Sequence, residues 1–178
     1  MSYFFNITLL FFVTVLVASC SNMKPEDYKN TKPEIKIEEY FLGDVKAWGI
    51  FQGRSGNVKR QFTATMNGSF DGNDFILDEN FNWSDGEKQS RKWTIKKIGK
   101  NNYEGTAADV VGVAKGVSYG SAFKFEYNLL IPFKDKKIKV RFDDWIFKQD
   151  DQVAINRAII TKFGFKVGEL TVFFLKKK

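Results

Sequence analysis

The feature that most constrains this chain is a train of short runs in which apolar and polar residues alternate, each cut off from the next by turn-forming residues. Alternation with period two puts every second side chain on one face of a strand. The runs fall at Ala47–Gly53, Val58–Met66, Asp74–Trp83, Gln89–Ile98, Tyr103–Ala107, Val113–Tyr119, Ala122–Ile131, Ile138–Phe147, Val153–Thr161 and Leu170–Leu175. Between them stand Arg54-Ser55-Gly56-Asn57, Asp71-Gly72-Asn73, Ser84-Asp85-Gly86, Gly99-Lys100-Asn101-Asn102 and Lys134-Asp135-Lys136, compositions that suit tight hairpins. Connections this short make successive strands antiparallel neighbours. The expectation is an all-β fold: an antiparallel up-and-down β-barrel of eight to ten strands, closed so that no edge is left exposed.

The amino-terminal part follows different rules. Tyr3 to Val17 is an apolar run too short for a comfortable membrane span, and it ends in Val17-Ala18-Ser19-Cys20. That quartet resembles the bacterial lipobox, in which small residues precede a cysteine that receives a diacylglyceryl group. The resemblance implies a signal peptide over residues 1–19, lipidation at Cys20 and a membrane partner held through the acyl chains. Met1 to Asn6 carries no Lys or Arg, unlike most export signals, and the alternative is an uncleaved anchor helix. Ser21, where an Asp would resemble an inner-membrane retention signal, points to an outer-membrane lipoprotein facing the periplasm if the source has two membranes. Residues 20–34 are polar, carry Pro25 and Pro33 and lack periodicity, so they read as a flexible tether before one domain over residues 35–178. Ile35 to Leu42 is a helical or extended lead-in.

Composition narrows the chemistry. The chain has no histidine, which excludes imidazole-based catalysis and zinc sites that need imidazole. Its single cysteine excludes an internal disulfide. No catalytic or cofactor motif stands out, so the chain reads as non-enzymatic, without a cofactor. A formal charge of +7 suits anionic partners. An address outside the cytoplasm favours an anionic lipid surface over nucleic acid.

Strand parity yields an unexpected set of charges. In Ala122–Ile131 the face Phe123, Phe125, Tyr127, Leu129, Ile131 is apolar and turns inward. By the same rule Arg60 shares a face with Phe62, Ala64 and Met66, Glu79 with Leu77 and Phe81, Arg91 with Trp93 and Ile95, and Asp144 with Val140 and Phe142. Arg157 lies with Val153, Ile155 and Ile159. Buried charges must pair, reach water or meet a ligand. One reading is an internal network, Arg157 with Asp144 and Arg60 or Arg91 with Glu79. The other is an anion site at the end of an apolar pocket, for which a guanidinium fork is suited. A bulge at Asp143-Asp144 would reverse the parity there and turn Trp145 and Phe147 inward. Glu79 and Asp144 as a glycoside-hydrolase pair is a minor alternative.

Ala47-Trp48-Gly49-Ile50-Phe51, Arg54-Ser55-Gly56, Ser84-Asp85-Gly86-Glu87, Tyr103-Glu104-Gly105-Thr106-Ala107, Phe142-Asp143-Asp144-Trp145 and Asn156-Arg157 followed by Lys162-Phe163-Gly164 resemble, in order, the bacterial lipoproteins of domain of unknown function DUF3833. The resemblance implies a lipocalin- or calycin-like barrel in the cell envelope, with no established activity and no assigned functional residues. The leading expectation is a lipoprotein that binds an amphipathic anionic lipid, fatty acyl or phospholipid, inside the barrel. Arg157 is its expected anchor, with Arg60 and Arg91 assisting and Trp48, Phe125, Tyr127, Asp144 and Trp145 lining the site. The alternative is a packed barrel that acts as a structural or interaction lipoprotein through its basic surface.

Overall fold

A computed structural model describes residues 23–133 and 135–177. The leader and Cys20 lie outside the described residues.

Ten strands form one closed sheet: β1 (Gly43–Gly53), β2 (Val58–Asp71), β3 (Asp74–Trp83), β4 (Lys88–Lys97), β5 (Asn102–Thr106), β6 (Ala114–Tyr119), β7 (Ala122–Phe133), β8 (Lys136–Lys148), β9 (Val153–Lys162) and β10 (Phe165–Lys176). Each pairs antiparallel with its sequence neighbour, and β10 pairs antiparallel with β1 to complete the ring. The all-β, up-and-down barrel read from the alternation is the fold observed, and it is calycin-like, as the family resemblance implied. Two strands outrun their alternating cores because their hairpins are tight. The ladder of β2 and β3 continues to Asp71↔Asp74, so polar residues beyond Met66 are drawn in. That of β9 and β10 reaches Lys162↔Phe165, which starts β10 well before Leu170.

One end of the barrel is closed by the lead-in. A single helical turn, α1 (Ile37–Tyr40), buries Ile37 and Tyr40, and Phe41 follows it into the core. The Phe41 ring meets Phe174 edge-on at 5.2 Å, and the Tyr40 hydroxyl donates to the Gln152 carbonyl at 2.8 Å. Gly68 of β2 is required at this contact, since a Cβ there would collide with the Phe41 carbonyl.

The segment expected to be a tether is folded from Pro25 onward. Pro25–Tyr28 forms a 3-10 turn, and the Tyr28 ring packs on Trp145 and Phe147, with centroids 6.0 and 5.5 Å away. Thr31 bonds to Ser121, and the Ile35 amide donates to the Gly120 carbonyl at 2.8 Å. Aromatic surface on the outer wall near the closed end supplies the contact that a polar, proline-containing sequence does not advertise.

β9 has the opposite parity to the one expected. Ala154, Asn156, Ala158 and Ile160 face the interior and are buried, while Ile155 and Arg157 face solvent. Small residues line this wall because bulky rings from β8 and β10, Phe142 and Phe174, already occupy the space inside. Placing Arg157 outside avoids the desolvation of a guanidinium.

Candidate functional site

A cavity of about 650 Å³ runs down the barrel. Its floor is Ile37 and Phe41, with Phe75, Ile95 and Phe174 around them. Phe62, Leu77, Phe81, Trp93, Phe125, Tyr127, Phe142 and Ile160 form its walls. These are inward positions of successive strands, so the apolar lining follows directly from alternation. Tyr127 stacks on Phe142 with centroids 5.0 Å apart, and Trp93 meets Tyr127 edge-on at 5.3 Å. Arg60, Glu87 and Lys162 stand at the opposite end from α1, among hairpins that leave the cavity open there.

Midway down lies a polar centre. Arg91 reaches inward from β4 with a side chain only 13% exposed. Asp109, in the connection between β5 and β6, accepts from its Nε at 3.1 Å and its Nη2 at 2.9 Å. Its Nη1 is 3.7 Å from Oε2 of Glu79, directly across the ladder on β3. Burial pushes the Glu79 carboxyl up to about 7, and Arg91 opposes the shift only in part. Glu79 Oε2 accepts no hydrogen bond from any described residue, although it lines the cavity. Asp144 on β8 accepts from the Tyr127 hydroxyl at 3.1 Å and from the Asn156 amide. Burial raises it to about 6 despite those bonds. Tyr127 is raised as well, chiefly by burial and then by Asp144. One guanidinium thus faces three carboxyl groups, Glu79, Asp109 and Asp144, so the interior has no cationic surplus.

Phe125, Tyr127, Arg91, Arg60 and Asp144 therefore line the cavity as expected. Three other residues do not. Arg157 is on the outer wall of β9 with its side chain 58% exposed, paired with Glu169. That pairing, and then Lys166, holds Glu169 down at about 2. Trp48 is on the outer wall of β1 against Phe173, because its neighbour Gly49 takes the inward position with the Phe62 ring lying over it. Trp145 is buried, but outside the sheet beneath Tyr28. β8 pairs with β7 and β9 without a register shift, so the bulge that would have turned Trp145 inward is absent. The expected pairing of Arg157 with Asp144 is replaced by Arg157 with Glu169, whereas Arg91 does meet Glu79.

Arg60 is the basic group at the mouth. Its guanidinium lies 4.1 Å above the Trp83 ring and pairs with Asp85 and Glu87, each at 2.7 Å. The side chain remains 30% exposed, so it faces cavity and solvent together. Asp85 was legible as a turn residue, and Glu87 only as part of the resemblance motif Ser84-Asp85-Gly86-Glu87. Asp109 carried no sequence signal, since it sits in an irregular connection, and Asn156 entered only through the family resemblance, having fallen on the face assigned to solvent.

Fold and cavity together define the class: a calycin-like antiparallel barrel, closed below by a helical turn and open above. Within that class the chain belongs to the DUF3833 family, described as proteins of unknown function, whose model matches residues 14–176. No curated protein matches the chain in sequence. Among solved structures it is similar to the S-type phycobiliprotein lyase CPES from Guillardia theta, at 11% identity and a TM-score of 0.59, over 88% of this chain and 99% of that one. It is also similar to a DUF3598 protein of unknown function from Nostoc punctiforme, at 11% identity and a TM-score of 0.62, over 82% of this chain and 51% of that one. At such identities the likeness is one of fold.

Proposed function

We propose that the barrel is a non-enzymatic carrier for an amphipathic lipid, held in the cell envelope through acylated Cys20. The apolar part of the ligand occupies the cavity, and its anionic end rests at the mouth beside Arg60 and Lys162. The single observation behind this reading is the cavity itself: about 650 Å³, aromatic and aliphatic along its length, shut at one end and open at the other. Ligand sites of small molecules have this size and this mixture of apolar wall and few polar groups. A barrel serving only as a structural element would fill such a space with side chains.

The charge distribution supports an anionic end at the mouth. Arg91 is held by Asp109 and stands beside Glu79, and Asp144 lies in the same cavity, so an anion at that depth would meet an excess of carboxyl groups. At the rim Arg60 and Lys162 face Asp85 and Glu87, an even count, and water there lowers the cost of rearranging ion pairs.

Native mass spectrometry of the full chain purified from membranes tests this reading. Bound lipid, or stoichiometric uptake of palmitate by the delipidated protein, is expected. Absence of both bound lipid and palmitate uptake would rule out the carrier. Intact mass tests the anchor separately: loss of residues 1–19 with a diacylglyceryl group on Cys20 is expected, and a Cys20→Ala chain would lack both.

A further inference from the structure

The two-residue turn between β9 and β10 is built in an unusual way. Lys162 pairs with Phe165 across it, so Phe163 and Gly164 make the turn, with φ of +52° and +82°. Turns of this kind favour Asn or Gly at the first position, since a bulky side chain is strained in the left-handed region. Phe163 nevertheless occupies it and is 89% exposed. An unfavourable backbone conformation that presents a large apolar ring to water has no explanation within the fold.

Phe163 is not isolated. Phe165 beside it is 70% exposed. β9 is paired with β8 and β10 with β1, so the neighbouring tips on the rim are the β7–β8 and β1–β2 hairpins. The first carries Phe133, 56% exposed, with Lys136 and Lys137; the second carries Val58, 47% exposed, with Arg54 and Lys59. Lys162 stands 5.3 Å from the Phe163 ring, and Lys166 follows in β10. The other side of the mouth is acidic, with Asp85 and Glu87 in the β3–β4 turn. One lip of the opening thus combines exposed rings with cations, a pattern suited to insertion among acyl chains below anionic head groups.

The position of the lip adds a direction. The first described residues pack near the closed end, through Tyr28 and Thr31 against Trp145 and Ser121. Three residues lie between Cys20 and Lys24, four Cα–Cα steps that reach at most about 14 Å when fully extended. Strands of 10 to 14 residues, tilted as barrel strands are, hold the lip roughly 30 Å from that end.

We propose that the Phe163–Phe165 lip docks the mouth of the barrel onto an anionic phospholipid surface distinct from the one that holds the amino terminus. This names the lipid source for the carrier reading and rests on it for its purpose, but on different residues for its binding.

The full chain is reconstituted by its amino-terminal end into phosphatidylcholine liposomes. These are mixed with fluorescent, protein-free vesicles of phosphatidylcholine alone or with one-third phosphatidylglycerol, and capture is read by co-flotation. Capture of the anionic vesicles is expected, weakened by salt and reduced at least about tenfold in Phe163→Asp/Phe165→Asp. Circular dichroism of that variant should be unchanged, since both side chains are outside the core. Equal capture by the variant, equal capture of neutral vesicles, or no capture by the wild type would each overturn the proposal. Palmitate uptake, measured on the same preparations, reports separately on the cavity.

Discussion

Asp109 grips Arg91 from outside the meander, through Nε at 3.1 Å and Nη2 at 2.9 Å, and so fixes the head of a strand arginine that lines the cavity. The connection that carries Asp109 continues the ladder above the short strand β6: Leu130 donates to the Asp109 carbonyl and Val111 to that of Asn128. Removing Asp109 leaves a largely buried guanidinium with Glu79 as its remaining partner, 3.7 Å away. Asp109→Ala is expected to cost roughly 3 kcal/mol, the scale of a broken buried pair. A urea midpoint at unchanged m-value measures it, and a loss below about 0.5 kcal/mol would show that Arg91 does not depend on the pair.

The two raised carboxyls make stability fall as pH rises. Glu79 titrates near 7 in the folded barrel, against 4.5 for the ordinary group, and Asp144 near 6 against 3.8. Between those values the folded state holds more protons than the unfolded one, so the slope of stability against pH is negative. The groups facing Glu79 are Arg91, Asp109 and Asp144, and no histidine contributes. Full benefit is present below about pH 4 and is gone above pH 7, with Glu79 contributing roughly 3 kcal/mol. Chemical denaturation at pH 5 and pH 8 should show this loss, and Glu79→Gln should flatten it. A profile that rises across that interval in the wild type would contradict the assignment.

Strand parity explains what was legible in the sequence and what was not. Alternation located all ten strands and gave the inward face wherever one face was plainly apolar, as in β7 with Phe123, Phe125, Tyr127 and Leu129. It failed on β9, where both faces carry aliphatic residues. The face richer in Val and Ile became the outer wall, and Ala154 and Ala158 became the inner one. That choice depends on how much volume Phe142 and Phe174 supply from adjacent strands, which no local pattern reports. Arg157 followed its strand outward. Trp48 failed for a related reason: the large residue of a Trp-Gly pair draws the eye, but the space above Phe62 admits only the glycine.

Gly49 is therefore the constrained member of that pair. Any Cβ at position 49 would enter the Phe62 ring, which itself packs on Trp83 at 4.8 Å and Phe81 at 5.3 Å. Gly49→Ala is expected to destabilise by about 1–3 kcal/mol through overpacking, even though the residue adds only a methyl group. Thermal melts of Gly49→Ala and Trp48→Ala distinguish backbone crowding from loss of the outer Trp48–Phe173 contact. The m-value should hold in both, and the glycine variant should lose lipid capacity as Phe62 is pushed into the cavity.

Two arginines separate the outer wall from the mouth. Arg157 meets Glu169 on the outer wall with its own side chain 58% exposed, and ion pairs screened by water contribute about 0–1 kcal/mol, so Arg157→Leu should change stability little and leave palmitate uptake intact. Arg60 is placed differently, above Trp83 and at the cavity edge, between the ligand's path and the acids of the β3–β4 turn. An entering carboxylate can take one edge of its guanidinium while Asp85 or Glu87 keeps the other, because the fork offers donors on both sides. Arg60→Leu should therefore weaken palmitate binding about tenfold, the scale of one charge-assisted hydrogen bond, with a smaller effect on a long-chain alcohol. Isothermal titration with both ligands decides the matter. An equal loss for acid and alcohol would mean that Arg60 only shapes the mouth through its stacking on Trp83, and the anionic end would have to be held elsewhere on the rim.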